Sequence, residues 1–258
     1  MSTFRTFALV NQKGGVGKTT TAINLGTALA AMGKTALVID LDPQGNASTG
    51  LGIERAQRDN GTYDVLMGAV PAADAIVATS IPRLSIIPST VDLAGAEIEL
   101  VNAERREHRL AEALAKVADR FDYILIDCPP SLNLLTLNAL VSADALIVPL
   151  QTEFYALEGL SYLVQTVERV KRAFNNRLEL VGIILTMYDR RNSLSEQVAQ
   201  DVRGHFADTV FETIIPRNVR VSEAPSYGLP VLIYDHRCPG SQAYMRLAAE
   251  IMRRGATA

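Results

Sequence analysis

The stretch Asn11-Gln12-Lys13-Gly14-Gly15-Val16-Gly17-Lys18-Thr19-Thr20 constrains the fold more than any other part of the chain. An apolar run, Phe7-Ala8-Leu9-Val10, leads into it, and Ala22 to Ala30 leaves it with helical periodicity. Strand, glycine-rich turn and helix, in that order, form the setting in which a loop wraps phosphate. Glycines let successive backbone N–H groups turn inward, and the helix start adds free donors and the positive end of a dipole. At this spacing Lys18 reaches the β- and γ-phosphates and the Thr19 hydroxyl ligates Mg²⁺. A bare strand-to-helix turn with two stray lysines is the bland alternative, and the spacing argues against it.

The loop departs from G-x-x-x-x-G-K-[ST] in one way. Six residues before Lys18, where that pattern wants glycine, stands Gln12, and a second lysine, Lys13, follows it. Lys13 lies upstream of the turn, so it is expected to serve a nucleotide held by a second copy of the chain rather than its own. A solvated lysine is the plain alternative.

A chain of 258 residues, 48% of them hydrophobic, can bury one sizeable core as a single α/β domain. Its two cysteines, Cys128 and Cys238, form no C-x-x-C pair, which points to a reducing compartment without a local metal site. Little precedes the first strand, so neither a signal peptide nor an extra N-terminal domain is expected. No apolar run reaches the roughly 20 residues that span a bilayer. Net charge is −3, which advertises no nucleic acid, yet Leu163 to Arg220 carries nine basic residues against seven acidic ones. That weak local excess permits a cationic face.

Strand-like and helix-like runs alternate along the chain. Thr35 to Asp40, Leu84 to Pro88, Tyr123 to Asp127, Ala145 to Leu150, Leu180 to Met187 and Val210 to Ile215 read as strands. Helices are expected at Leu100 to Phe121, Asn133 to Val141, Tyr155 to Phe174, Leu194 to Phe206 and Gln242 to Met252, with short ones between Gly61 and Ala78. Continuous apolar strands separated by helices predict one doubly wound, mostly parallel sheet with helices on both faces.

Chemistry in such a sheet gathers at the carboxyl ends of the strands. Asp40, Asp42 and Asp127 fall there. Asp127 is placed to hold Mg²⁺ through water. Asp40 and Asp42 bracket one residue and, if extended, point the same way, one toward the magnesium shell and the other toward the attacking water. Turn-forming aspartates before Pro43 are the alternative for that pair.

Lys13-Gly-Gly-Val-Gly-Lys18-Thr-Thr, Asp40-Leu-Asp42-Pro-Gln-Gly-Asn46, Ile126-Asp127-Cys-Pro-Pro130 and Ile215-Pro216-Arg217-Asn218-Val-Arg220 together resemble the ParA/Soj family of chromosome- and plasmid-partition ATPases. The likeness runs from Phe7 to about Met252 and carries the P-loop fold with it. It implies one ATPase domain over residues 1–258, with ATP and Mg²⁺ as cofactors and without the N-terminal DNA-binding extension of many plasmid relatives. It implies that Gly14, Gly15, Val16, Gly17, Lys18, Thr19 and Thr20 bind the phosphates, and that Thr19 ligates the metal with Asp40 and Asp127 nearby. Lys13 resembles the signature lysine that crosses an ATP-sandwich homodimer, and Asp42 the residue that activates the hydrolytic water. Lys13, Lys18 and Asp42 are thus the implied catalytic set. Pro216 and Asn218 resemble the adenine-holding segment. Arg191 and Arg220 align with arginines that bind double-stranded DNA without sequence preference once the dimer forms, and Lys171 and Arg172 are the reserve. The implied cycle is cytoplasmic and nucleoid-associated, with slow hydrolysis stimulated by a centromere-binding partition protein and no membrane.

Two other functions fit the broader superfamily. A membrane-associated division-site ATPase needs a basic amphipathic tail, whereas Tyr244, Leu247, Ala248 and Ile251 read as a core-facing stripe. An iron–sulfur carrier needs paired cysteines, and Cys128 reads as a buried thiol.

Overall fold

The computed structural model describes residues 6–257, and the expectations about the chain ends fall partly outside the described residues. Seven strands form one sheet: β1 (Thr6–Leu9), β2 (Ala36–Asp40), β3 (Val77–Ala78), β4 (Leu84–Ile87), β5 (Tyr123–Asp127), β6 (Ala145–Gln151) and β7 (Glu179–Thr186). Their spatial order is β3-β4-β2-β5-β1-β6-β7. Every neighbouring pair is parallel except β3 with β4 at the edge. The mostly parallel, doubly wound sheet is therefore as expected.

The helices are α1 (Lys18–Ala31), α2 (Asn46–Gly50), α3 (Thr62–Met67), α4 (Leu93–Glu99), α5 (Arg109–Leu114), α6 (Leu134–Ser142), α7 (Ala156–Ala173), α8 (Ser193–Phe206), α9 (Val219–Glu223), α10 (Val231–Tyr234) and α11 (Pro239–Thr257). Strand residues alternate between two cores because successive side chains leave opposite faces. Phe7 and Leu9 join Val38, Leu125 and Ile147 beneath α1 and α11, whose Leu25, Leu29, Tyr244 and Leu247 complete that layer. Ala8 joins Leu37, Ile39, Ile126 and Val148 on the other face, against α6, α7 and α8. Burial on both sides explains why the strands read as unbroken apolar runs. The stripe Tyr244, Leu247, Ala248 and Ile251 is core, as expected, with none of the four more than 2% exposed.

Two elements differ from expectation. The helix expected over Leu100 to Phe121 is broken: only α5 is regular, with short 3-10 turns at Arg106–His108 and Ala118–Arg120. Leu110, Leu114 and Val117 still bury themselves. Asn138 of α6 holds the break, its Oδ1 accepting from the Leu110 amide (3.1 Å) and its Nδ2 donating to the Arg106 carbonyl (2.9 Å). A tertiary partner overrides the local period there.

The strand expected over Val210 to Ile215 is instead an irregular run along β7, with isolated bridges Ile183–Val210 and Tyr188–Pro216. Glu250 of α11 is the cause, since its carboxylate accepts from the amides of Glu212 (2.8 Å) and Thr213 (3.0 Å). Those amides are then not free for a ladder.

Candidate nucleotide-binding site

β1 lies inside the sheet between β5 and β6, and the chain leaves it toward one edge through β2 and later crosses from β5 to β6 on its other side. The crevice at such a switch point is where α/β sheets bind ligands. The loop after β1 fills it. Gly15 (φ 76°) and Gly17 (φ 92°) hold left-handed backbone that side-chain-bearing residues rarely adopt, and a Cβ at Gly15 would meet nothing within 4 Å. The loop is thus open on the side where an anion would lie. It is anchored behind by Thr186, whose hydroxyl donates to the Val16 carbonyl (2.8 Å).

A cavity of about 470 Å³ opens over this loop, with Gly14, Lys18, Thr19, Asp42 and Pro130 in its wall. Lys18 is buried, and its Nζ donates to the Lys13 carbonyl at 3.0 Å. Burial lowers its pKa, and Asp127 works in the opposite direction. A partly desolvated cation whose ammonium hydrogen-bonds a backbone carbonyl rather than a carboxylate is poised to take an anion.

Asp127 lies at the end of β5, paired in register with Leu9 and with Asp40. Both its carboxylate oxygens are buried without a hydrogen bond of good geometry, although the Thr19 hydroxyl lies close enough to act on them. Burial first, and Asp40 next, push its pKa well up, while the Thr19 side chain and Lys18 pull against that rise. An orphaned carboxylate beside a threonine hydroxyl and a lysine fits a divalent cation, which would supply the missing positive charge. Among the described residues no group of three or more His, Cys, Asp or Glu is gathered that could hold a metal ion.

Asp40 and Asp42 do not point the same way. β2 ends at Asp40 and the chain turns, so the two-residue period of a strand no longer applies. The Asp40 carboxylate is engaged by Ser48, accepting from its amide (2.8 Å) and its hydroxyl (2.6 Å), and more weakly by the Asp42 amide (3.3 Å). Burial raises its pKa to about 6 against the pull of Ser48. Asp42 instead lines the cavity, and one of its oxygens accepts from the Gln44 amide at 3.0 Å.

A second cavity of about 250 Å³ adjoins the first through Gly17, Thr20, Met187 and Pro225, and Pro216 and Asn218 line it. The Asn218 Oδ1 is buried without a partner. An amide oxygen so placed can accept from an exocyclic amine.

Lys13, Arg191 and Arg220 lie outside both cavities, whereas Arg217 lines the second. Lys13 is not in the wall of its own phosphate cavity, and its Nζ pairs with Glu153. Arg191 is bidentate on Asp189 (3.0 and 2.8 Å). Arg220, on α9, reaches Glu223 (3.0 Å) and Asp235 (3.6 Å). The bridge Tyr188–Pro216 keeps their two segments side by side at the end of β7. A polar groove of about 790 Å³ beside Arg191 also takes in Arg190, Arg217 and Arg246, which the sequence reading did not single out together. Lys171 and Arg172 occupy the last turn of α7, where the helix dipole favours cations. Cys128 and Cys238 are buried free thiols, and burial pushes Cys128 well up. Among the described residues no helix is long and apolar enough to cross a membrane.

Sheet order and loop together define the class, a P-loop ATPase fold. MinD of Pyrococcus horikoshii complexed with Mg-ADP superposes with a TM-score of 0.80 at 30% identity, covering 96% of this chain and 95% of that one. Cobyrinic acid a,c-diamide synthase of Mycobacterium smegmatis, with bound ATP analogue and magnesium, superposes at 0.86 with 37% identity, covering 98% and 96%. Those two proteins differ in function, so the fold alone does not choose between them.

Sequence likeness is narrower. A family model described as "AAA domain" matches residues 4–180. Over 252 residues the chain is 62% identical to the chromosome partitioning protein ParA of Caulobacter vibrioides, covering 97% of this chain and 94% of that protein. Over 248 residues it is 52% identical to the sporulation initiation inhibitor protein Soj of Bacillus subtilis, covering 96% and 98%. The chain belongs to the ParA/Soj family of chromosome-partitioning proteins.

Proposed function

We propose that the chain is a partition ATPase that pairs as an ATP-sandwich dimer, holds double-stranded DNA without reading its sequence, and lets go when a centromere-binding partner stimulates slow hydrolysis. Lys18 and the loop amides bind the β- and γ-phosphates of ATP. Thr19 and Asp127 hold the magnesium ion, Asp127 through water, and Asp40 supports them from behind through Ser48. When bound, Mg²⁺ neutralises charge on the phosphates. Asp42, at the cavity wall, orients the attacking water. Pro216 packs on the adenine, and the Asn218 Oδ1 accepts from its amine. Lys13 reaches the phosphates of the other copy.

The observation that carries the nucleotide reading is the pair of orphaned Asp127 oxygens beside Thr19 and Lys18. Buried polar groups rarely go unpaired without a ligand to serve. On the outer face Arg191 and Arg220 contact DNA phosphates, which positions the dimer without specifying sequence. Few contacts per copy give weak binding, and pairing multiplies it through effective concentration. The proposed setting is the cytoplasm, on the nucleoid. Binding to unrelated duplexes measured with ATP, with ADP and without nucleotide tests this reading. Tight, sequence-independent binding only with ATP is expected, and nucleotide-independent binding would count against the switch.

A further inference from the structure

We propose that Glu153 is the positioning residue for Lys13, holding its ammonium on its own chain and so setting the concentration at which two ATP-loaded copies pair. This rests on the reading that Lys13 works across the dimer.

The Lys13 backbone is fixed on both sides. Its amide donates to the Asn11 Oδ1 (3.0 Å), and Asn11 in turn donates from Nδ2 to the Pro149 carbonyl at the end of β6 (2.8 Å). Its carbonyl accepts from Lys18 Nζ (3.0 Å). Only the side chain is left to choose a partner, and it lies on Glu153, two residues beyond β6. The side chains of Lys13 and Glu153 are 53% and 30% exposed, so the pair can be exchanged without unfolding anything.

Three further features mark this rim as incomplete in a lone copy. Phe154 and Tyr155 follow Glu153 directly, are 74% and 69% exposed, and pack edge-to-face at 5.1 Å. An adjacent exposed aromatic pair is the kind of surface that a partner covers. Gln12 and Thr152, next to the two members of the ion pair, each bury a side-chain polar atom, Nε2 and Oγ1, without a partner. The partner this rim fits is a second copy of the chain. Its phosphate-bound nucleotide offers Lys13 a stronger anion than Glu153 does.

Each Lys13 must leave Glu153 before it can cross. An exposed ion pair contributes at most about a fivefold factor. With two in a symmetric dimer, the hold on the dimerisation constant reaches about 25-fold.

Glu153→Gln tests this, with dimerisation followed by sedimentation in a non-hydrolysable ATP analogue and turnover followed against chain concentration. The expected result is pairing at a chain concentration lower by about 2- to 25-fold, with turnover per dimer unchanged and a stronger dependence of pairing on salt, because pairing then forms an ion pair without breaking one. Glu153→Asp should restore most of the hold. In a Lys13→Ala background, Glu153→Gln should shift nothing, which a merely structural role of Glu153 would not produce. Unchanged or weakened pairing in Glu153→Gln, beside a wild type that pairs normally, overturns the role of Glu153 alone. A wild type that never pairs in ATP removes the dimer reading and this inference together.

Discussion

At the floor of the site, Lys18, Asp127 and the Asn218 oxygen are buried, with the two acceptors lacking partners. On the outer rim, Lys13, Arg191 and Arg220 stand in solvent, each already paired with a carboxylate of its own chain. The floor is a set of unmet demands that one small ligand can meet. The rim is a set of exposed ion pairs that a competing anion on a second body can exchange. Lys13 and Lys18 show the contrast most sharply, since they lie five residues apart on one loop and touch through the Lys13 carbonyl. Burial makes the floor a property of the single chain, whereas exposure leaves the rim to be completed by association.

If that division holds, substitutions on the floor should cost much more than those on the rim. The largest effect is expected from Lys18→Ala. Loss of the only cation in the wall of the phosphate cavity should weaken ATP by at least about 100-fold, roughly 3 kcal/mol, measured by calorimetry. ATP-driven dimerisation at wild-type nucleotide concentration in that variant would break the comparison at its strongest point.

Asp40 and Asp42 sharpen it next. Asp40→Ala leaves the Ser48 amide and hydroxyl without their acceptor, so it should destabilise the nucleotide-free chain by about 2–4 kcal/mol in urea unfolding. Asp42→Ala should cost less than about 1 kcal/mol of stability and instead stop turnover with ATP still bound. Equal stability losses would mean that the two carboxylates share one role after all.

Glu250 carries the same logic to a buried acid far from the nucleotide. Burial alone would raise its pKa, but the Glu212 and Thr213 amides and Arg254 more than offset this and leave it lowered. A depressed carboxylate contributes stability above its unfolded pKa, and that contribution fades as pH falls through the folded value. Glu250→Gln should therefore cost about 1.5–3 kcal/mol at pH 7, with the gap to wild type closing in acid. A pH-independent gap would assign the loss to packing.

The smallest effects belong to the rim. Arg191→Ala and Arg220→Ala should each leave thermal stability within about 0.5 kcal/mol. Each should lower the log–log salt slope of DNA binding by about 2 per dimer. An unchanged slope in the double variant would shift attention to Lys171 and Arg172, or to the groove around Arg217 and Arg246.

How much of this could be read beforehand follows the same line. The loop, the strand that leads into it and the Asp127 strand end were legible because glycine placement, apolar runs and a strand-end acid are local signals. The buried stripe of α11 was legible for the same reason. The divergence of Asp40 and Asp42 was not, since it depends on where β2 stops and on Ser48 arriving from the next helix. The broken helix around α5 and the irregular run beside β7 were set by Asn138 and Glu250, side chains 28 and 38 residues from the amides they hold. Glu153 lies 140 residues from Lys13, and no spacing rule links them.

The central claim is that each complete site is shared between two copies, with Lys13 from one serving the nucleotide of the other. Mixing Lys13→Ala with Asp42→Ala chains tests it most directly, because on this account neither variant should turn over ATP alone and both should still bind it. In a mixed dimer the Lys13→Ala copy keeps its own Lys18 and Asp42 and receives Lys13 from its neighbour, so one site of two is whole. An equimolar mixture should then recover up to about a quarter of wild-type turnover. If Lys13 serves its own nucleotide, neither site in the mixed dimer is whole, and a mixture as inactive as its parts would contradict the account.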